Sequence, residues 1–261
     1  MKRINTFTFV ELGERLESLK SIKDGSSYGD VFIDLWLTRN TLTSLLQHDS
    51  LNLRTSKASA SALVNEISNI VPLDPSVASE NQEKTITNYQ SWSLSRALSE
   101  FRTVLSAELN VIDTYAVSQK GAYSTSDLVE NADIVFPNGI RQKVPDQAIQ
   151  DIRQAGKCLA FDTPTAAGFH ITRAIEATIV QYYKTVLGTE TQLKMRNWGA
   201  YIKNLEASGK ADAKIIELLK HIKDSYRNPV THPEIELSTD EISVLFGLAV
   251  SAITQMAITL P

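Results

Sequence analysis

The sequence predicts an all-α protein, and three observations carry that reading. Apolar residues recur at intervals of three and four through most of the chain, the period of a helix with one buried face. Only 11 Gly and 8 Pro occur in 261 residues, few for a succession of short strands and tight turns. The clearest punctuation takes the form of helix caps. A hydrophobic share of 43% and a charged share of 21% are ordinary for a globular protein, and the length suffices for one large or two modest domains.

The elements follow in order. Phe9, Leu12, Leu16 and Leu19 share one helical face, and Val31, Leu35, Leu42, Leu45 and Leu46 continue with a second amphipathic segment. A third helix is expected over about 58–71, before Pro72 and Pro75 break the chain. A long one follows over about 85–115, in which Leu94, Leu98, Phe101, Leu105 and Ile112 form a stripe that reads as core or as a dimer seam. Lys120 to Thr125 and Phe136 to Gly139 carry turn chemistry, with room for a short strand or hairpin near 115–117 and 134–136.

The second half is punctuated more sharply. Pro145 opens a segment to about Phe161, and Thr163-Pro164 supplies a cap and first-turn proline for a helix closed by Gly188. Shorter helices are expected near 198–207 and 211–227. Ser238-Thr239-Asp240-Glu241 is a capping box leading into an apolar helix to Leu260. The expected organisation is therefore an N-terminal helical domain over 1–118, a connector over 119–144, and a bundle of about five helices over 145–261.

Composition narrows the function. The single cysteine, Cys158, excludes an intrachain disulfide and fits a reducing, cytoplasmic setting. The first twenty residues lack a signal-peptide apolar core, and no uninterrupted apolar run of membrane-spanning length is evident. Net charge is −4, yet residues 194–227 carry eight Lys or Arg against four Asp or Glu. That local excess reads as a solvated helix face or as an approach path for a polyanion, with Lys220 and Lys223 as candidate RNA contacts.

The basic stretch ends in Arg227-Asn228-Pro229-Val230-Thr231-His232, followed by Pro233. A guanidinium, always charged, precedes by four intervening residues an imidazole that changes protonation near neutral pH. With the Asn228 amide beside them, these groups suit a phosphate that must be held while a proton moves. The same residues also read as a helix stop, because a residue before proline is biased away from the α region.

The C-terminal half, about residues 145–261, resembles the HEPN superfamily of helical bundles bearing an Arg-x(4–6)-His motif, often with a polar residue directly after the Arg. Arg227-Asn228 and His232 match that form, and Phe169-His170-Ile171-Thr172-Arg173-Ala174-Ile175-Glu176 supplies the Arg-x-x-Glu helix common upstream of it. The resemblance implies metal-independent RNA cleavage across a homodimer, with Arg227, Asn228 and His232 catalytic and Arg173 and Glu176 supporting. It also implies no cofactor, and settings such as phage defence, abortive infection or toxin–antitoxin pairs, with an antitoxin or regulatory protein as a further partner. Other HEPN-like domains serve as non-catalytic binding modules, which is the alternative.

Other signals are weaker. The four histidines show no His-Glu-x-x-His spacing, so no metal site is expected. No phosphate-binding glycine loop or Gly-x-Ser-x-Gly elbow occurs. Trp198 reads as a stacking platform for an RNA base or as a bundle anchor. His170 reads as a hydrogen-bonded core residue, and Cys158 as a small buried hydrophobe.

Overall fold

A computed structural model describes residues 5–47, 53–70, 84–188, 197–232 and 234–261. Pro72, Pro75, Lys194, Arg196, Pro233 and His48, on which parts of the sequence reading fall, lie outside these. The fold is all-α, with isolated bridges at Ser27–Thr85 and Lys120–Tyr123 and no strand among the described residues. The chain divides into two compact units, Met1–Thr114 and Tyr115–Pro261.

In the first unit α1 (Phe7–Ser18), α2 (Tyr28–Gln47), α3 (Ser56–Ile70) and α4 (Asn88–Leu109) enclose one core. Thr87 starts α4 with a capping box: its hydroxyl accepts from the Gln90 amide nitrogen, and the Gln90 side chain accepts from the Thr87 backbone. Leu94, Leu98, Phe101 and Leu105 are buried in this core and Ile112 packs against it, so the stripe is committed within the unit and offers no dimer seam. α4 ends at Leu109 rather than near 115.

Glu108, at the end of α4, caps the start of α3. Its carboxylate accepts from the backbone nitrogens of Arg54, Thr55 and Ser56 and from the Ser56 hydroxyl. The Ser56 hydroxyl, then these backbone donors, outweigh the opposing effect of desolvation and hold Glu108 at a pKa of about 2. A pKa depressed by folding contributes stability above the unfolded value, about 4.3, and that contribution is lost as pH falls toward about 2. Glu108→Gln should therefore lower the melting temperature by a constant amount above about pH 5. Thermal melts of both proteins between neutral pH and the acid limit should show the gap narrowing as pH falls.

The second unit holds α5 (Thr125–Glu130), α6 (Asp146–Ala160), α7 (Pro164–Leu187), α8 (Trp198–Ser208), α9 (Ala213–Ile222), α10 (Asn228–Val230) and α11 (Thr239–Ile258). The segment expected as a connector over 119–144 folds onto this unit's core, with Leu128, Ala132, Phe136 and Val144 buried there. Residues 132–135, overlapping the 134–136 stretch that had room for a short strand, form a 3-10 turn instead. The close fit depends on Gly156: a Cβ at that position would lie 2.3 Å from the Ala132 Cβ and 2.6 Å from the Leu128 carbonyl oxygen. Asp133, buried in this contact, binds Arg141 and accepts from Arg153 Nε at 2.8 Å. Burial pushes the Asp133 carboxyl up, but the two guanidinium partners outweigh it and hold it below its ordinary value.

α7 packs against α6, α8, α10 and α11. Ala167, Ile171, Ala174, Ile175 and Ile179 are fully buried along it. The Ser238–Glu241 capping box forms as read, the Ser238 hydroxyl accepting from the Glu241 nitrogen at 3.2 Å. α11 is long and apolar enough, by length and composition alone, to cross a membrane, which the sequence reading passed over. In this fold Ile242, Leu245, Phe246, Ala249, Ile253 and Met256 bury one side of it in the core.

Candidate functional site

The Arg227–His232 stretch is positioned from both ends. α9 begins at Asp212, whose carboxylate accepts from the Lys214 backbone nitrogen at 2.8 Å. It buries Ile215, Ile216, Leu219 and Ile222. The backbone then widens into a π-helical turn over Lys223–Arg227, closed by the Asn228 nitrogen donating to the Lys223 carbonyl. Asn228 stays helical, at φ −64° and ψ −50°, and the chain continues through Pro229 to Val230.

This overturns the helix stop expected at Asn228. In a regular α-helix the proline ring meets the carbonyl four residues back. A π turn shifts the register to five residues, relieving that clash, while Asn228 stays helical despite the local bias against it before proline. The run ends a little later, where the nitrogens of Thr231 and His232 donate to the carbonyls of Asn228 and Pro229.

Val230 fastens this turn to the bundle. It is buried, and a Cβ at Gly168 of α7 would lie 2.8 Å from Val230 Cγ2. On either side of this anchor the candidate groups are open to solvent: Arg227 and Asn228 are half-buried and His232 is exposed. Arg227 Nη1 donates to Asn228 Oδ1 at 3.3 Å, and Arg227 forms no ion pair with a described residue. An unpaired guanidinium fixed beside an amide is available to an anionic ligand.

Arg173 and Glu176 do not bind each other. Arg173 Nε lies 3.3 Å from Asp151 of α6, while its side chain stays 61% exposed, and Glu176 makes no ion pair with a described residue. Asp151, 3% exposed, also accepts from Gln147 Nε2 at 2.8 Å and sits 2.8 Å from His170 Nδ1. A buried carboxylate held by three donors ties α6 to α7 and fixes the His170 ring. Gln147 and Asp151, four apart, and His170 and Arg173, three apart, each share a helix face in the sequence. Which faces meet is a matter of tertiary packing, so sequence reasoning missed the cluster. No polar contact joins it to Arg227 or His232 among the described residues.

The proposed RNA contacts are largely engaged elsewhere. Trp198, 2% exposed, is a core anchor with its indole nitrogen unpaired, so it presents no ring face to a base. Lys220 binds Glu206 at 2.6 Å and Glu217 at 3.4 Å, the Glu206 bond chiefly raising its pKa. Lys223 binds Asp224. Their acidic partners are among the four already counted in 194–227, so the net excess of that stretch is unchanged while these two lysines are committed to carboxylates. Comparison with protein-family models, with curated proteins and with solved structures yields no match.

Proposed function

We propose that this chain is a metal-independent endoribonuclease of HEPN type. The observation that carries the reading is the Arg227 guanidinium, without a carboxylate partner among the described residues, beside Asn228 and five residues before exposed His232. In the proposed reaction the ribose 2′-oxygen attacks phosphorus and the bond to the 5′-oxygen breaks. The products are a 2′,3′-cyclic phosphate and a 5′-hydroxyl. His232 moves a proton as general base or acid, Arg227 holds the non-bridging oxygens as charge builds on them, and Asn228 orients the phosphate. The nucleophile is part of the substrate, so this route needs neither a bound metal nor a distant water.

The test is incubation of purified protein with end-labelled total RNA, with and without EDTA, beside His232→Ala. Cleavage that survives EDTA and vanishes in the variant supports the reading. Intact RNA overturns it. The paired Lys220 and Lys223 and the buried Trp198 favour a second reading, a non-catalytic adaptor binding RNA or protein on the same fold.

The ribonuclease reading includes a homodimer that brings two Arg227–His232 turns to one phosphodiester, acts in the cytoplasm in phage defence or as a toxin, and is restrained by an antitoxin or regulatory protein. With the α4 stripe buried, the reading takes the C-terminal bundle as the dimer interface, which would bring two copies of Arg227 and His232 together. Sedimentation equilibrium at micromolar protein should give twice the 28.9 kDa chain mass. A strict monomer would sink the two-turn version.

A further inference from the structure

α4 buries one face in the first unit and turns an unusual one outward. Tyr89 is 73% and Trp92 57% exposed, their ring centroids 6.4 Å apart and tilted by 34°. The Arg96 guanidinium lies 5.2 Å from the Trp92 ring centroid and forms no ion pair with a described residue, not even with Glu100 one turn on. Ser95, Ser99 and Thr103 run beside this row at one-turn spacing, and with Trp92, Arg96 and Glu100 they line an open concavity of about 530 Å³.

We propose that this face of α4 is a docking surface for single-stranded RNA. The inference rests on the ribonuclease reading for its choice of nucleic acid and adds a recognition element in the N-terminal unit. Each part matches a chemical feature of an unpaired nucleotide. An exposed indole stacks on any base, because every base has a π face. Arg96, already held over the ring, carries its charge to the phosphate beside that base. The Ser95 and Ser99 hydroxyls and the Glu100 carboxylate reach base edges, which a paired strand keeps occupied. A protein helix seeking a groove needs a continuous apolar floor. Here the Trp92 ring is followed along the concavity by hydroxyls and charges, with Val104 as the aliphatic member of the lining, so the strand is the better fit.

The test measures binding apart from cleavage, using the full-length wild-type chain and a short fluorescein-labelled 2′-O-methyl oligonucleotide, which lacks the nucleophilic hydroxyl. Fluorescence anisotropy should show saturable binding of the single strand and at least about tenfold weaker binding of its duplex. Trp92→Ala should weaken single-strand binding by about 5- to 150-fold, the range for losing one stacked base. Trp92→Phe should restore most of it, and Arg96→Ala should reduce the salt dependence. Circular dichroism of each variant should match the wild type, since both side chains are exposed. No saturable binding by the wild type, equal binding of the duplex, or a Trp92→Ala variant within about twofold of wild type overturns the proposal. Failure of cleavage with binding intact would count against the Arg227–His232 reading alone.

Discussion

His232→Ala should cut RNA cleavage by roughly 10²–10⁴-fold, the loss typical of removing a general acid or base. Arg227→Lys should lose most of the activity as well, although the charge is kept. Lysine supplies a point charge on a flexible stem, whereas the guanidinium grips two phosphate oxygens in a fixed plane. Both variants should melt close to the wild-type temperature. His232 is exposed, and Arg227 gives up a single 3.3 Å hydrogen bond to its neighbour and no ion pair with a described residue. That separation of activity from stability is the informative part. A catalytic group can be removed at little structural cost, whereas a residue that closes a helix cannot. Initial rates on a labelled RNA, measured with EDTA present throughout, read the first effect, and thermal melts read the second. If both variants cut RNA at the wild-type rate, the Arg–Asn–His turn is not the source of any cleavage seen.

How far the sequence foretold this arrangement differs from element to element. α7 begins at Pro164 and ends at Gly188 as read, and α11 begins at its capping box, because these signals are local chemistry written in adjacent residues, although the Thr163 hydroxyl donates to the Cys158 carbonyl rather than capping α7. The π turn before Asn228 was not legible. It depends on whether one amide reaches four or five residues back, which no run of adjacent residue types records. The same holds for the Asp151 cluster, whose members come from two helices. Charge counting misled for a related reason: eight basic residues against four acidic ones say nothing of which pairs form, and Lys220 and Lys223 are both paired. Trp198 shows the limit for single side chains, since a tryptophan near a helix start serves equally well as an anchor or as a platform until its burial is known.

Gly156→Ala should lower the melting temperature of the C-terminal unit by several degrees, against the usual direction of that substitution. In an exposed helix interior alanine is favoured over glycine by about 0.8–1.0 kcal/mol. At Gly156 the new methyl would lie 2.3 Å from the Ala132 Cβ and 2.6 Å from the Leu128 carbonyl oxygen. Carbon atoms make their best contacts at about 3.5–4.0 Å. Neither obstacle can rotate away, since one is backbone and the other is fixed to it. α5 and the turn after it must therefore move off α6 by more than an ångström. That movement opens the contact of Leu128 and Ala132 with the core and strains the seat of Asp133 between Arg141 and Arg153. Overpacking of this kind costs about 1–3 kcal/mol, and more where a buried ion pair is disturbed. At about 2–4 °C per kcal/mol for a unit of this size, the expected fall is roughly 2–12 °C. Gly199→Ala is the matched control: it lies on the exposed face of α8, where a Cβ meets nothing nearer than Asn197 Oδ1 at 3.5 Å, and it should leave the melting temperature level or raise it. Calorimetry of the two variants beside the wild type separates the steric effect from the propensity effect. A Gly156→Ala protein as stable as Gly199→Ala would mean that α5 does not pack on α6 as closely as described.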